Sequence, residues 1–120
     1  MLPNHYHVLV EAPDIKKLLA ALGRFHGRTS YEWNDEERAR GRKVFFRCTE
    51  RYMRSDRHYW ATVNYVNHNP VHHRYVRLWT DRPWSSATQY IEQMGRAEVA
   101  RIWNEHPIKE YGKKWDPAEL

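Results

Sequence analysis

Alternation of period two across residues 4–11 constrains this chain more than any other feature. Asn4-His5-Tyr6-His7-Val8-Leu9-Val10-Glu11 reads as a β-strand, with successive side chains on opposite faces. That pattern asks for a sheet. It also puts His5 and His7 on one face, with Tyr6, Val8 and Val10 on the other. Two imidazoles close together on one face of a strand supply half of a divalent-metal site. A solvent-facing pair on a half-exposed strand satisfies the same pattern, so the motif needs a second one beside it.

The second motif closes a helix some sixty residues on. Ser55 reads as an N-cap, and Asp56 suits the positive end of the helix dipole. Tyr59, Val63 and Val66 fall at i, i+4 and i+7 and form the expected buried stripe. The helix should end near Asn69, because the residue before Pro70 is pushed out of the α region. His58, Thr62, Tyr65 and Asn69 recur at intervals of four, three and four, which makes Tyr65 and Asn69 neighbours one turn apart. A phenol able to act as nucleophile beside an amide oxygen able to bind a metal is a chemically suggestive pair. A core tyrosine and a C-cap asparagine account for the same residues.

Charge points to a polyanionic partner. The 120 residues carry a formal charge of +5, the isoelectric point is near 9.5 and the mean hydropathy is −0.96. Within residues 38–57, Arg38, Arg40, Arg42, Lys43, Arg47, Arg51, Arg54 and Arg57 face only Glu50 and Asp56. These cations interleave with Phe45, Phe46, Tyr52 and Tyr59, a mixture suited to a nucleic-acid backbone with unstacked bases. A solvated basic face is the plainer alternative. No segment approaches the roughly eighteen apolar residues needed to span a bilayer, and no signal peptide is visible. The lone Cys48 excludes an intrachain disulfide and reads as a small buried hydrophobe, so the expected compartment is the reducing cytoplasm.

The length allows one domain. Asp14 caps a helix whose stripe is Ile15, Leu18, Leu19 and Leu22, with Gly23 and Gly27 as weak points. Asn34 to Lys43 reads as a loop or helix end, Val44 to Met53 as a second strand. Ser85-Ser86 offers a cap for a helix over 87–94; Gly95 breaks it, a short helix over 97–104 follows, and 112–117 reads as a loosely held tail. His72 and His73 are expected to meet solvent, and spacing suggests no partner for His26 or His106. Strands and helices of this kind predict a small α+β domain with helices packed on an antiparallel sheet.

Met1-Leu2-Pro3-Asn4-His5-Tyr6-His7-Val8-Leu9-Val10 resembles the His-hydrophobe-His strand of the IS200/IS605-like transposases, the single-tyrosine HUH nucleases. Tyr65-Val66-Asn67-His68-Asn69-Pro70-Val71, followed by Trp84-Ser85-Ser86, is similar to the branch associated with repetitive extragenic palindromes. The resemblance covers residues 1–92 as an IS200-like catalytic domain, with 93–120 as a helical tail. It implies a ferredoxin-like antiparallel sheet with helices on one face, here lacking the usual strand–helix–strand ahead of His5. It implies Tyr65 as nucleophile, His58 as proton-transfer assistant, and His5, His7 and Asn69 as ligands of Mg²⁺ or Mn²⁺. Trp84 would sit in the core, with a serine hydroxyl capping the next helix. The implied activity is cleavage and rejoining of single-stranded or hairpin DNA through a 5′-phosphotyrosine. Arg38, Arg40, Arg42, Lys43, Arg47, Arg51, Arg54 and Arg57 would contact the DNA backbone. A homodimer, paired through open strand edges, is a further expectation. The alternative is an inactive DNA-hairpin-binding module of the same descent.

Overall fold

A computed structural model describes residues 1–112; the expected tail over 112–117 lies almost wholly outside them. In chain order the elements are α1 (Ile15–Glu36), α2 (Asp56–His72), a 3₁₀ turn (Trp79–Asp81), α3 (Ala87–Met94) and α4 (Arg96–Glu105). The described residues form two compact units: Met1–Leu9 with residues 52–112, and Val10–Arg51.

The expected α+β fold, a ferredoxin-like antiparallel sheet with helices on one face, is not what forms. Among the described residues there is no strand. Residues 4–11 and 44–53 carry no regular element, and neither joins a backbone ladder. Alternation is a local signal, whereas a strand exists only when its N–H and C=O groups pair with a neighbour. The expected burial follows the sheet out: Cys48 is exposed, and so is Trp84, at 69 %.

The first unit is a helical cluster in which α2 packs on α4 and on the 3₁₀ turn, and α3 packs on α4. Ser55 Oγ caps α2 by accepting from His58 N–H at 3.1 Å. Leu2, Ala61, Val63, Tyr65, Ala87, Val99 and Ile102 are its buried apolar residues. Two asparagines of α2 tie the cluster together. Asn64 Nδ2 donates to the carbonyls of Ile102 and His106, at 3.3 and 2.9 Å, satisfying the C-terminal end of α4. Asn67 Oδ1 accepts from Ser86 Oγ at 3.0 Å, and of the expected serine pair it is Ser85 whose Oγ accepts from Ala87 N–H, at 3.2 Å, at the start of α3.

α2 runs one turn past its expected end, with Pro70 inside it. Pro70 forgoes an N–H bond to the carbonyl of Val66 and crowds that carbonyl with its ring, yet the helix continues and closes beyond it in a Schellman motif. Tyr75 N–H donates to Pro70 C=O and Arg74 N–H to Val71 C=O, both at 2.9 Å, with Arg74 at φ 59°.

In the second unit α1 starts at its Asp14 cap, whose carboxylate accepts from Lys17 N–H at 3.1 Å. It passes through Gly23 and Gly27 and ends in another Schellman motif, with Arg38 at φ 51°. Asn34, the buried residue of α1, donates to Arg42 C=O at 2.7 Å and accepts from Arg42 Nε at 3.1 Å, pinning the loop after the helix to it. None of the helices among the described residues is long and apolar enough to cross a membrane.

Candidate active site

Two stretches sixty residues apart converge in the first unit. α2 carries Tyr65 and Asn69 one turn apart, and residues 5–7 run beside them. His5 Nε2 lies 3.3 Å from Asn69 Oδ1, while its Nδ1 lies 2.8 Å from Asn4 Oδ1. The His5 and His7 rings meet edge-on at 5.3 Å, and the His7 ring meets Tyr65 at 5.4 Å. His5 and His7 therefore meet without a sheet.

His73, expected in solvent, joins this cluster half-buried, whereas His72 is exposed as expected while standing near Tyr65. The His73 ring lies 4.9 Å from that of His5, and the His72 ring 6.5 Å from that of Tyr65. The signal was present in the spacing. Carried through Pro70, the helix puts His73 one turn beyond Asn69 and His72 two turns beyond Tyr65. His58 stands elsewhere: seven residues before Tyr65, about 10 Å along the axis, its Nδ1 accepts from Arg54 N–H at 3.4 Å and its ring meets Tyr111 at 5.6 Å.

Tyr65 is only 3 % exposed. Residues 108–112 lie against it, and Thr62 Oγ1 is hydrogen-bonded to the Tyr111 hydroxyl. Gly112, at φ +76°, comes so close that a Cβ there would stand 2.6 Å from Tyr65 Cζ. A pocket of about 190 Å³ remains between Tyr65, His68, His72 and residues 108–111. On the other side of α2 an open groove of about 630 Å³ runs past Leu2, His7 and Asn69 to Trp84, Ser85 and Gln89. His7 and Asn69 line this groove, whereas Tyr65 lines the smaller pocket.

His68 faces inward. Its ring lies between Trp79 at 4.7 Å and Trp103 at 3.8 Å, and Nδ1 is 3.1 Å from Asn64 C=O. Burial pushes its pKa below the usual imidazole value; the Asn64 carbonyl acts in the opposite sense and is outweighed.

The donor set of His5, His7 and Asn69, two imidazoles and an amide oxygen, suits a divalent ion with open positions for water or phosphate. Among the described residues no group of three or more His, Cys, Asp or Glu is placed to hold a metal ion. Such a site therefore depends on the Asn69 amide.

The eight basic residues divide between the units: Arg54 and Arg57 belong to the first, the other six to the second. Arg40 pairs with Asp35 at 2.5 Å and Arg42 with Glu37, so these two neutralise α1 carboxylates. Arg38, Lys43 and Arg47 carry no ion pair to any carboxylate among the described residues.

Compared with protein-family models, with curated proteins and with solved structures, the chain finds no match.

Proposed function

We propose that the protein is a metal-dependent tyrosine nuclease that cuts and rejoins single-stranded or hairpin DNA, working in the cytoplasm. The observation that carries this reading is the meeting of His7 with Tyr65 and of His5 with Asn69, across sixty residues of chain. His5, His7 and Asn69 would hold Mg²⁺ or Mn²⁺, which when bound supplies Lewis-acid stabilisation of charge on the scissile phosphate. The neutral donors leave such a site cationic and attractive to a phosphodiester.

Tyr65 Oη attacks phosphorus, forming a 5′-phosphotyrosine as the bond to the 3′ oxygen breaks; that oxygen leaves as a free 3′-OH, taking up a proton. The phenol, with a pKa of about 10 when free, must give up its own proton on the way. His58 in its present place serves the start of α2, not Tyr65. Residues 108–112 must move aside before a substrate can reach the hydroxyl.

That burial of Tyr65 also favours a second reading, a DNA-hairpin-binding module without chemistry. A hairpin-cleavage assay with Mn²⁺ separates the two. The nuclease reading expects cleavage in wild type, lost in Tyr65→Phe and reduced at least a hundredfold in His7→Ala. Hairpin binding without cleavage in wild type establishes the module instead.

A further inference from the structure

α1 places His26 and Trp33 seven residues apart on one face, two turns or about 10 Å along the axis. The Phe45 ring from the following segment bridges that gap. It stacks on His26 at 4.1 Å with 15° between planes, and lies 6.1 Å from Trp33 at 27°. Phe25 continues the row, 6.0 Å from His26. Two rings of this array face solvent, Phe25 at 61 % and Trp33 at 45 %, and Phe46, which follows Phe45 in the chain, is 73 % exposed. Exposed aromatic rings on such a scale are unusual without a partner.

Charge identifies the partner. Lys43 Nζ sits 5.0 Å from the Phe46 ring centroid, and Arg47 follows directly. The acidic residues of the helix are largely cancelled where they stand: Arg28 pairs with Glu32, Arg40 with Asp35 and Arg42 with Glu37, leaving Glu36. Lys43 over Phe46, Arg47 next to it in the chain and Arg38 just past the end of α1 remain to meet phosphates. The Asn34–Arg42 hydrogen bonds hold the loop that carries these groups onto α1.

We propose that Phe25, Trp33 and Phe46 form a base-stacking site for single-stranded DNA, separate in its residues from the tyrosine cluster. It rests on the reading of DNA as the substrate and adds a place where unpaired bases are gripped. Bases in a duplex are stacked on each other and present no free face, whereas every unpaired base can stack on a ring.

The test is fluorescence anisotropy of labelled oligo(dT) with the full chain at low salt, comparing wild type with Phe25→Ala/Phe46→Ala and Trp33→Ala. These rings are exposed, and circular dichroism checks that helicity is retained. Each lost stacking contact should weaken oligo(dT) binding by about 5- to 150-fold. An abasic oligodeoxynucleotide of the same length should bind wild type as weakly as oligo(dT) binds the double variant. Equal affinity of wild type for the abasic strand and oligo(dT), or unchanged affinity in the variants, overturns the site. DNA cleavage that needs Tyr65, alongside unchanged variant affinities, would sink the stacking site alone and spare the nuclease reading. Ring-dependent binding without cleavage upholds the stacking site and removes the nuclease.

Discussion

Gly112 is the residue on which access to Tyr65 turns. A methyl group there would collide with the phenol ring, and φ +76° costs any L-residue about 1–2 kcal/mol. Gly112→Ala should therefore loosen residues 108–112 and raise nitration of Tyr65, read by mass spectrometry, several-fold over wild type. An unchanged rate would place the cover elsewhere. His68 gives a second prediction at this scale. Its folded-state pKa lies below the unfolded value, so the unfolded chain binds the extra proton first. Stability from the neutral ring is complete above the unfolded pKa of about 6.5 and declines as pH falls below it. Denaturant midpoints taken between pH 7.5 and pH 5.5 should fall more for wild type than for His68→Phe, which keeps a ring between Trp79 and Trp103. Equal slopes would contradict the burial argument. At this scale the candidate site was partly legible: His5, His7, Tyr65 and Asn69 were marked by spacing, whereas His73 was lost to the assumption that Pro70 ends α2; His72 is exposed, as expected.

Among the elements, helices declared themselves and strands did not. Asp14 and Ser55 cap where their side chains predict, and α3 stops at Gly95, whose φ of 80° suits it. Helix hydrogen bonds are local, so the signals that start and stop a helix lie within a few residues of it. Strand pairing is not local, and the alternation at 4–11 found no ladder. The two Schellman closures carry arginine where glycine is favoured. Arg74→Gly should relieve the left-handed strain and stabilise the first unit by about 1 kcal/mol in denaturant unfolding. Ser55→Ala should cost about 1 kcal/mol through loss of the α2 cap. The reverse sign in either variant would show that these ends are held by other contacts.

For the molecule as a whole, burial is uneven. Among the described residues every buried apolar side chain lies in the first unit, while the second buries Asn34 and leaves its Ile15, Leu18, Leu19 and Leu22 stripe half-covered. Stability should accordingly reside in α2 and its neighbours. Ile102, at 1 % exposure, is the largest fully buried side chain, and Ile102→Ala should cost about 2–5 kcal/mol. Amide exchange should be slower in α2 than in α1; comparable protection would mean that α1 draws on contacts beyond its own unit. The whole-molecule arrangement was the least legible part, because amphipathic patterns say which faces want cover and not what covers them.

The proposed activity depends on the chemistry of one hydroxyl, that of Tyr65. The most direct measurement is peptide mapping, by mass spectrometry, of protein incubated with a DNA hairpin and Mn²⁺. A nucleotide joined through its 5′ phosphate to the peptide containing Tyr65, and absent without the metal, is the predicted result. Cleaved DNA with the adduct on another residue, or with no adduct on any, would contradict it.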